Sequence, residues 1–405
     1  MFDLNKPEKK KLYQDALIPL DKLRGSGQKI NLFGDRTENQ VVWVDIFVPR
    51  NVKADNYSSQ FTISTDSEKV QGEVQLKVWD FELPTKPSLN SAFLLWNNTK
   101  EADAIELLKH KIMPVLKLTP PQEKNLIDNW GLKSLRLPFW SGADVTNCEM
   151  REAPSAQEIS QVLEKRDSRL FNYVYSVDEI DKCTNLYEPL KKWGKNIHQA
   201  GAKHLAVMAP VPELYDYVDI WVVDPDRYYR NRKEIEEVLS RNKEVWFYTA
   251  LVQDNYSPKW LIDFAPINYR IPHGFINQSL GFTGVLYWAA DYWDTDPWLK
   301  ASYLHEGENY PGEGQLVYPG EKFGINGVIP SIRLKMIREG VEDYEYVEIL
   351  KKYGLEDWTK KILSKFALNW KSWDQDPKSL ALARIQLGEK ISQLSTKESL
   401  SLIHI

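Results

Sequence analysis

Alternation of apolar and polar positions marks the first quarter of the chain as β structure. The runs Val41–Val48, Gln60–Ser64 and Glu73–Phe81 read as strands, and Pro49 ends the first of them. Three strands are few for a sheet that stands alone. A small antiparallel β module over residues 1–88, sandwich-like and short of strands, is therefore expected to pack on something else. From about residue 90 the pattern changes. Short apolar runs now alternate with helical stretches such as Leu186–Ala200 and Arg232–Arg241. The runs are Ala92–Trp96, Ile112–Leu116, Leu132–Leu137, Tyr173–Val177, His204–Met208, Val218–Val223, Val245–Tyr248 and Gly284–Trp288. Such alternation argues for parallel strands with crossover helices. Eight units over about 260 residues predict an α/β fold of the (β/α)8 TIM-like barrel kind, placed at 89–350. A doubly wound open sheet is the rival, but its usual phosphate loop is missing. Ser331–Tyr353 carries apolar residues at helical spacing, with Gly354 placed to cap it, and two further helical segments follow at about 356–370 and 379–395. They make a C-terminal helical extension, 351–405.

Composition narrows the function. Lys and Arg number 52 against 57 Asp and Glu, a net charge of −5, which gives no electrostatic reason to expect a nucleic-acid or anionic-membrane partner. No apolar run approaches the roughly 18 residues of a membrane span. The start, MFDLNKPEKKKLYQ, has no apolar h-region. A cytoplasmic location is the expectation from the chain as written. Cys148 and Cys183 form no CxxC pair and no metal spacing, so a disulfide framework is excluded at this point. Six scattered histidines make no HExxH helix, and neither a P-loop, a dinucleotide fingerprint nor a GxSxG elbow is present. No metal and no cofactor are expected, and the oligomeric state is open. Aromatic residues make up 12% of the chain, with 15 Trp. Flat rings suit stacking on sugars as well as ordinary cores.

In a barrel, chemistry sits at the C-terminal ends of the strands. The fourth run ends in Asp178-Glu179. Adjacent carboxylates after an apolar strand push each other's pKa apart, so that one stays ionised while the other holds a proton. An acidic loop start with solvated side chains is the plainer alternative. Aromatic residues gather at the same strand ends: Trp96, Trp140, Trp246 with Tyr248, and Trp288 with Tyr292 and Trp293. Each either lines a sugar site or fills the barrel. Asp291 either binds sugar hydroxyls or caps a loop.

With these residues in view, the chain resembles a glycoside hydrolase family 123 catalytic domain. The resemblance lies in Tyr175-Ser176-Val177-Asp178-Glu179, in Val245–Thr249 with Leu261–Asp263 and Arg270, in Gly284–Trp288 with Tyr292-Trp293, and in Leu316–Gly320 with Ser331–Leu334 and Arg338–Tyr346. Trp79–Pro84 is similar to the family's strand leading into the barrel. The resemblance implies a retaining, exo-acting, metal-independent β-N-acetylhexosaminidase, with N-acetylgalactosamine as the favoured sugar and a glycan or glycoconjugate as partner; the alternatives are a glycosidase of the same fold acting on another sugar and a non-catalytic carbohydrate-binding barrel. It also implies substrate assistance, in which the 2-acetamido oxygen attacks the anomeric carbon. Asp178 would then orient the acetamide, and Glu179 would serve as acid and base. Tyr248 or Tyr292 would donate to the acetamide oxygen. Tyr175, Trp140, Trp246, Trp288, Asp291 and Trp293 complete the expected sugar-binding set. Arg270, Arg333 and Arg338 are expected to make structural salt links. Adjacent residues of a regular strand point to opposite faces, so the strand must end at the pair for both carboxylates to serve one site. Two departures are visible: the N-terminal β region is shorter than the family's, and no export signal is seen, although relatives are often exported.

Overall fold

A computed structural model describes residues 13–25, 42–64, 68–97 and 100–402. At its centre lie strands β1 (Asn90–Leu94), β2 (Pro114–Val115), β3 (Ser134–Arg136), β4 (Phe171–Asp178), β5 (Lys203–Val207), β6 (Ile220–Val223), β7 (Glu244–Tyr248) and β8 (Gly284–Tyr287). Each overlaps one of the predicted runs. They form an 8-stranded sheet in the order β2-β1-β8-β7-β6-β5-β4-β3. All neighbours are parallel. The β8–β1 pairing wraps the sheet around, with Gly284 opposite Asn90. The barrel is therefore nearly closed, and only the boundary between β2 and β3 lacks a ladder. Pro114 contributes no N–H to β2, which has only 2 residues, and proline in sheets belongs at edges.

The strands alternate faces as their side-chain period of two requires. Tyr173, Tyr175, Leu205, Val207, Ile220, Val222, Trp246, Tyr248 and Leu286 pack together inside the barrel. Val174, Ala206, Trp221, Val223, Val245, Phe247, Val285 and Tyr287 pack outward among the helices. Buried strands of this kind read as continuous apolar runs, which is why they were visible in the sequence.

The flanking parts depart from expectation. Among the described residues before the barrel only two strands are formed, Asp55–Ser64 and Lys69–Val78, paired antiparallel. Of the run 41–48, residue 41 lies outside the described residues and residues 42–48 form no strand. Its apolar residues have strand propensity but no partner ladder, and without one the backbone gains nothing from extension. Asp45 instead takes Lys335 at 2.6 Å and Arg338 at 2.8 Å. At the other end, helix Ile332–Lys352 packs against the barrel, capped by Ser331, whose hydroxyl accepts the Leu334 N–H. The next helix stops at Leu363, and Ala367–Asn369 pairs with Ser372–Trp373 where helix was expected. The last helix is Pro377–Leu402. Arg270 bonds Asp343 at 2.7 and 3.0 Å, and Arg384 joins the same carboxylate at 2.6 Å. Arg333, fully enclosed, takes Asp15 and the carbonyls of Gly312 and Gln315. The three arginines singled out from sequence are thus engaged structurally. No helix among the described residues is long and apolar enough to cross a membrane.

Candidate active site

A β-bulge decides where the carboxylate pair points. In the β4–β5 ladder Tyr175 faces Leu205, and Val177 faces the very next residue, Ala206. Ser176 is the extra residue. One inserted residue reverses the alternation beyond it. Val177 accordingly turns outward to the helices, and Asp178 takes the inward phase. The bulge is tied down by buried polar groups. Ser141 donates from its N–H (3.2 Å) and its hydroxyl (2.5 Å) to the Ser176 carbonyl. The Ser176 hydroxyl lies 2.5 Å from Nε2 of His204, whose Nδ1 is 2.6 Å from the Tyr217 carbonyl. Burial lowers the His204 pKa to about 4, so the ring is neutral, with its proton on Nδ1 toward the carbonyl. The next residue, Glu179, sits in the left-handed region at φ 53, and its N–H donates to Val207 at 2.7 Å. Strand geometry has ended there, as two carboxylates on one side require.

Both carboxylates rest on tyrosines of the barrel interior. Asp178 accepts from Tyr175, and Glu179 Oε1 accepts from Tyr248. Asp178 is open to solvent at the mouth, while protein atoms crowd it from below. This desolvation, and then the negative charge of Glu179, pushes its pKa up to about 6, against the Tyr175 hydrogen bond and the charge of Arg227. Burial raises the phenols of Tyr175 and Tyr248 well above their ordinary range, so both remain donors.

A guanidinium unnoticed in the sequence holds this side of the mouth. Asp224 follows β6 and caps helix Pro225–Arg230, accepting the Arg227 N–H at 2.6 Å. Capping by Asp before Pro is a common helix start, and it swings Arg227 back over the strand ends. Its side chain reaches Asp181 (3.0 Å), Glu179 (3.2 Å), the Tyr248 hydroxyl (2.5 Å) and Asp224. The signal for Asp224 was available, since it is a carboxylate at a strand end like Asp178. Arg227 and Asp181 carried no such mark.

The opposite wall is aromatic. Trp288 donates its indole N–H to Glu313 at 2.6 Å. Glu313 is fully buried and also takes the Leu251 N–H (2.9 Å) and the Tyr287 hydroxyl (3.2 Å). Burial pushes its pKa up to about 6. Gly314, at φ +67, lies flush against the indole, where a Cβ would come within 2.6 Å of the ring. Tyr292 and Tyr303 stand 5.1 and 5.2 Å from Trp288. Trp96, 56% exposed, donates to the Trp288 carbonyl. Trp293 is half-buried and donates to Val317. Across the mouth Trp140 meets Tyr175 edge-on at 5.4 Å. The Arg136 guanidinium is 5.0 Å from the Tyr175 ring.

Three sequence readings are corrected. Trp246 is fully buried inside the barrel and donates to Glu244, at the far end of β7 from the mouth, at 2.9 Å; period two places it two residues below Tyr248. Asp291 is also buried, and its carboxylate accepts the N–H groups of Trp96 (2.7 Å) and Asn97 (3.1 Å), which makes it the loop cap rather than a sugar ligand. Cys148 and Cys183 form a disulfide. Sequence spacing did not reveal that the loops after β3 and β4 meet beside the carboxylate pair.

Residues 170–350 match the family model described as Glycoside hydrolase 123, catalytic domain. No curated protein matches the chain. A solved family 123 glycoside hydrolase from Clostridium perfringens superposes with a TM-score of 0.57, at 14% identity, over 89% of this chain and 78% of that one. At that identity the likeness is one of fold, and it agrees with the barrel described above. A β-glucuronidase from Parabacteroides merdae aligns at 11% identity over 58% of this chain and 37% of that one, with a TM-score of 0.31, too low to carry an argument.

Proposed function

We propose that the chain, whose residues 170–350 match the glycoside hydrolase 123 catalytic-domain model, is a retaining exo-glycosidase that removes terminal β-linked N-acetylhexosamine, N-acetylgalactosamine above all, with the substrate's own acetamide as nucleophile. The observation that carries the reading is the presentation of Asp178 and Glu179 to one mouth by a bulge and a left-handed residue. Substrate assistance asks the protein for two groups on the same side of the sugar: an ionised carboxylate near the acetamide and an acid near the leaving oxygen.

In the first step the acetamido oxygen attacks C1. The C1–O bond pair passes to the glycosidic oxygen, which takes the proton of Glu179. Asp178 accepts the acetamide N–H and faces the positive charge of the oxazolinium that forms. In the second step water attacks C1 and gives its proton to Glu179. The bond between C1 and the acetamide oxygen breaks, and its electron pair restores the acetamide with configuration retained. Tyr248, whose proton goes to Glu179 in this structure, serves the acid rather than the acetamide; Tyr292, on the Trp288 wall, is the candidate donor to the acetamide oxygen. Trp288 and Trp140 offer ring faces on opposite sides of the mouth, Tyr175 holds Asp178 from below, and Trp293 extends the aromatic wall outward. A glycoconjugate substrate accords with the glycolipid glycan hydrolysis described for the Clostridium perfringens enzyme. The Cys148–Cys183 bond favours an oxidising compartment.

The test is hydrolysis of aryl N-acetyl-β-galactosaminide, N-acetyl-β-glucosaminide and plain β-galactoside, with Glu179→Gln as the blank. Turnover confined to the acetamido sugars, lost in the variant and inhibited by a thiazoline mimic of the intermediate, supports the reading. Turnover of the plain galactoside, or indifference to the thiazoline, sinks it.

A further inference from the structure

Two donors meet on one oxygen of Glu179. The Tyr248 hydroxyl donates to Oε1, and Arg227 Nη1 lies 3.2 Å from the same atom. Among the described residues no protein group bonds Oε2, and the side chain is 45% exposed. Arg227 cannot easily turn away. Its Nε is 3.2 and 3.3 Å from the two oxygens of Asp181, its Nη2 is 3.0 Å from one of them, and its Nη1 also bonds Asp224. Asp181 is held in turn by the Ala209 N–H at 2.9 Å.

A carboxylic proton and an incoming N–H or O–H compete for the same lone pairs, so the proton settles on the oxygen with fewer donors aimed at it. We propose that Arg227 is the positioning residue of the acid/base group: with Tyr248 it occupies Oε1, so that Oε2 is the atom that holds and passes the proton. The inference rests on the reading of Glu179 as that group. In the first step the proton leaves Oε2 for the glycosidic oxygen as that oxygen takes the C1–O bond pair. In the second, the proton of water arrives at Oε2 as its oxygen bonds C1. Oε1 keeps its two donors throughout, and the guanidinium faces the carboxylate that the first step creates. Asp181 and Asp224 anchor the guanidinium from its other edges, which keeps it from sliding across to Oε2.

The test compares leaving groups. 2,4-Dinitrophenolate departs without a proton, whereas phenolate needs one. Wild type, Glu179→Ala, Arg227→Met and Arg227→Lys are assayed on 2,4-dinitrophenyl and phenyl N-acetyl-β-galactosaminides. Arg227→Met, like Glu179→Ala, is expected to lose about 10- to 100-fold more kcat/KM on the phenyl substrate than on the dinitrophenyl one. Arg227→Lys, which keeps the charge but not the fork, recovers part of that difference. Equal loss on both substrates in Arg227→Met, beside selective loss in Glu179→Ala, overturns the inference and leaves the reading of Glu179 standing. An absence of selectivity in Glu179→Ala, or a wild type inactive on both, overturns that reading and the inference with it. If Arg227→Met does not fold, Tyr248→Phe removes the other donor without removing a charge. It should show the same selectivity in smaller measure, and uniform loss there counts against the proposal equally.

Discussion

The hydroxyl of Ser176 and Nε2 of His204 lie 2.5 Å apart, both fully buried beneath the carboxylate pair. This bond fixes the residue that reverses the alternation of β4, so a group that never reaches substrate helps to set the direction of Asp178. Replacing His204 by Phe leaves a buried hydroxyl without an acceptor, at a cost of about 1–3 kcal/mol. Urea denaturation should report that loss. Alongside it, kcat should fall more than KM rises, because the misdirected groups are those proposed to act in the chemical step.

On the proposed mechanism Asp178 must be ionised to accept the acetamide N–H and face the oxazolinium. Its pKa of about 6, raised first by desolvation and then by Glu179, places the loss of function on the acid side. Protonation removes the charge, so on the acid side kcat/KM should rise with pH through about 6. Below that point it should fall about tenfold per pH unit. Asp178→Asn should be slow at every pH and show no limb near that value. A rate–pH profile of the two proteins decides the matter; an unchanged limb in the variant would falsify the assignment.

Glu313 accepts from Trp288, Tyr287 and Leu251 at once. Glu313→Ala strands three donors and frees the indole of Trp288 to rotate. The expected outcome is a KM for the aryl glycoside raised about tenfold, with a smaller change in kcat, since a stacked ring contributes binding more than chemistry. Steady-state kinetics would show the opposite split if Trp288 had no contact with the sugar.

The Cys148–Cys183 bond closes a loop across a sequence separation of 35 residues. Cys148→Ser with Cys183→Ser should lower stability by about 2–4 kcal/mol. Thermal melts of the wild type with and without dithiothreitol should reproduce the difference, and the double variant should no longer respond to the reductant.

The parts of this molecule that repeat were legible, and the parts that break repetition were not. Apolar runs such as Val218–Val223 and Val245–Tyr248 announced strands because both of their faces are covered. Asp178-Glu179 stood out because charge at the end of an apolar strand is costly. The bulge at Ser176 left no trace, for a single inserted residue looks the same as any other until the partner strand is known. Trp246 and Tyr248, two residues apart on one strand, look alike in a list of aromatics, yet one lies inside the barrel and the other at its rim. Arg227 was invisible because its partners arrive from the ends of three different strands, β4, β6 and β7. The stretch from Val42 to Val48 shows the converse. It has the residues of a strand, and among the described residues no strand pairs with it.

The missing ladder between β2 and β3 has a mechanical consequence. Around the rest of the ring, backbone hydrogen bonds fix each strand to the next and leave no freedom to slide. At the seam, side chains do that work: Met113, Leu118, Leu132 and Leu135 pack with Ala104, Leu108, Leu126 and Ile127 of the covering helices. Apolar contacts are non-directional and tolerate small displacements that a ladder resists. Trp140 hangs from the loop after β3, on the packed edge, while Tyr248 and Trp288 stand on strands welded at both sides. The mouth is a vice with one fixed jaw and one sprung jaw, and the carboxylate pair on β4 sits next to the spring.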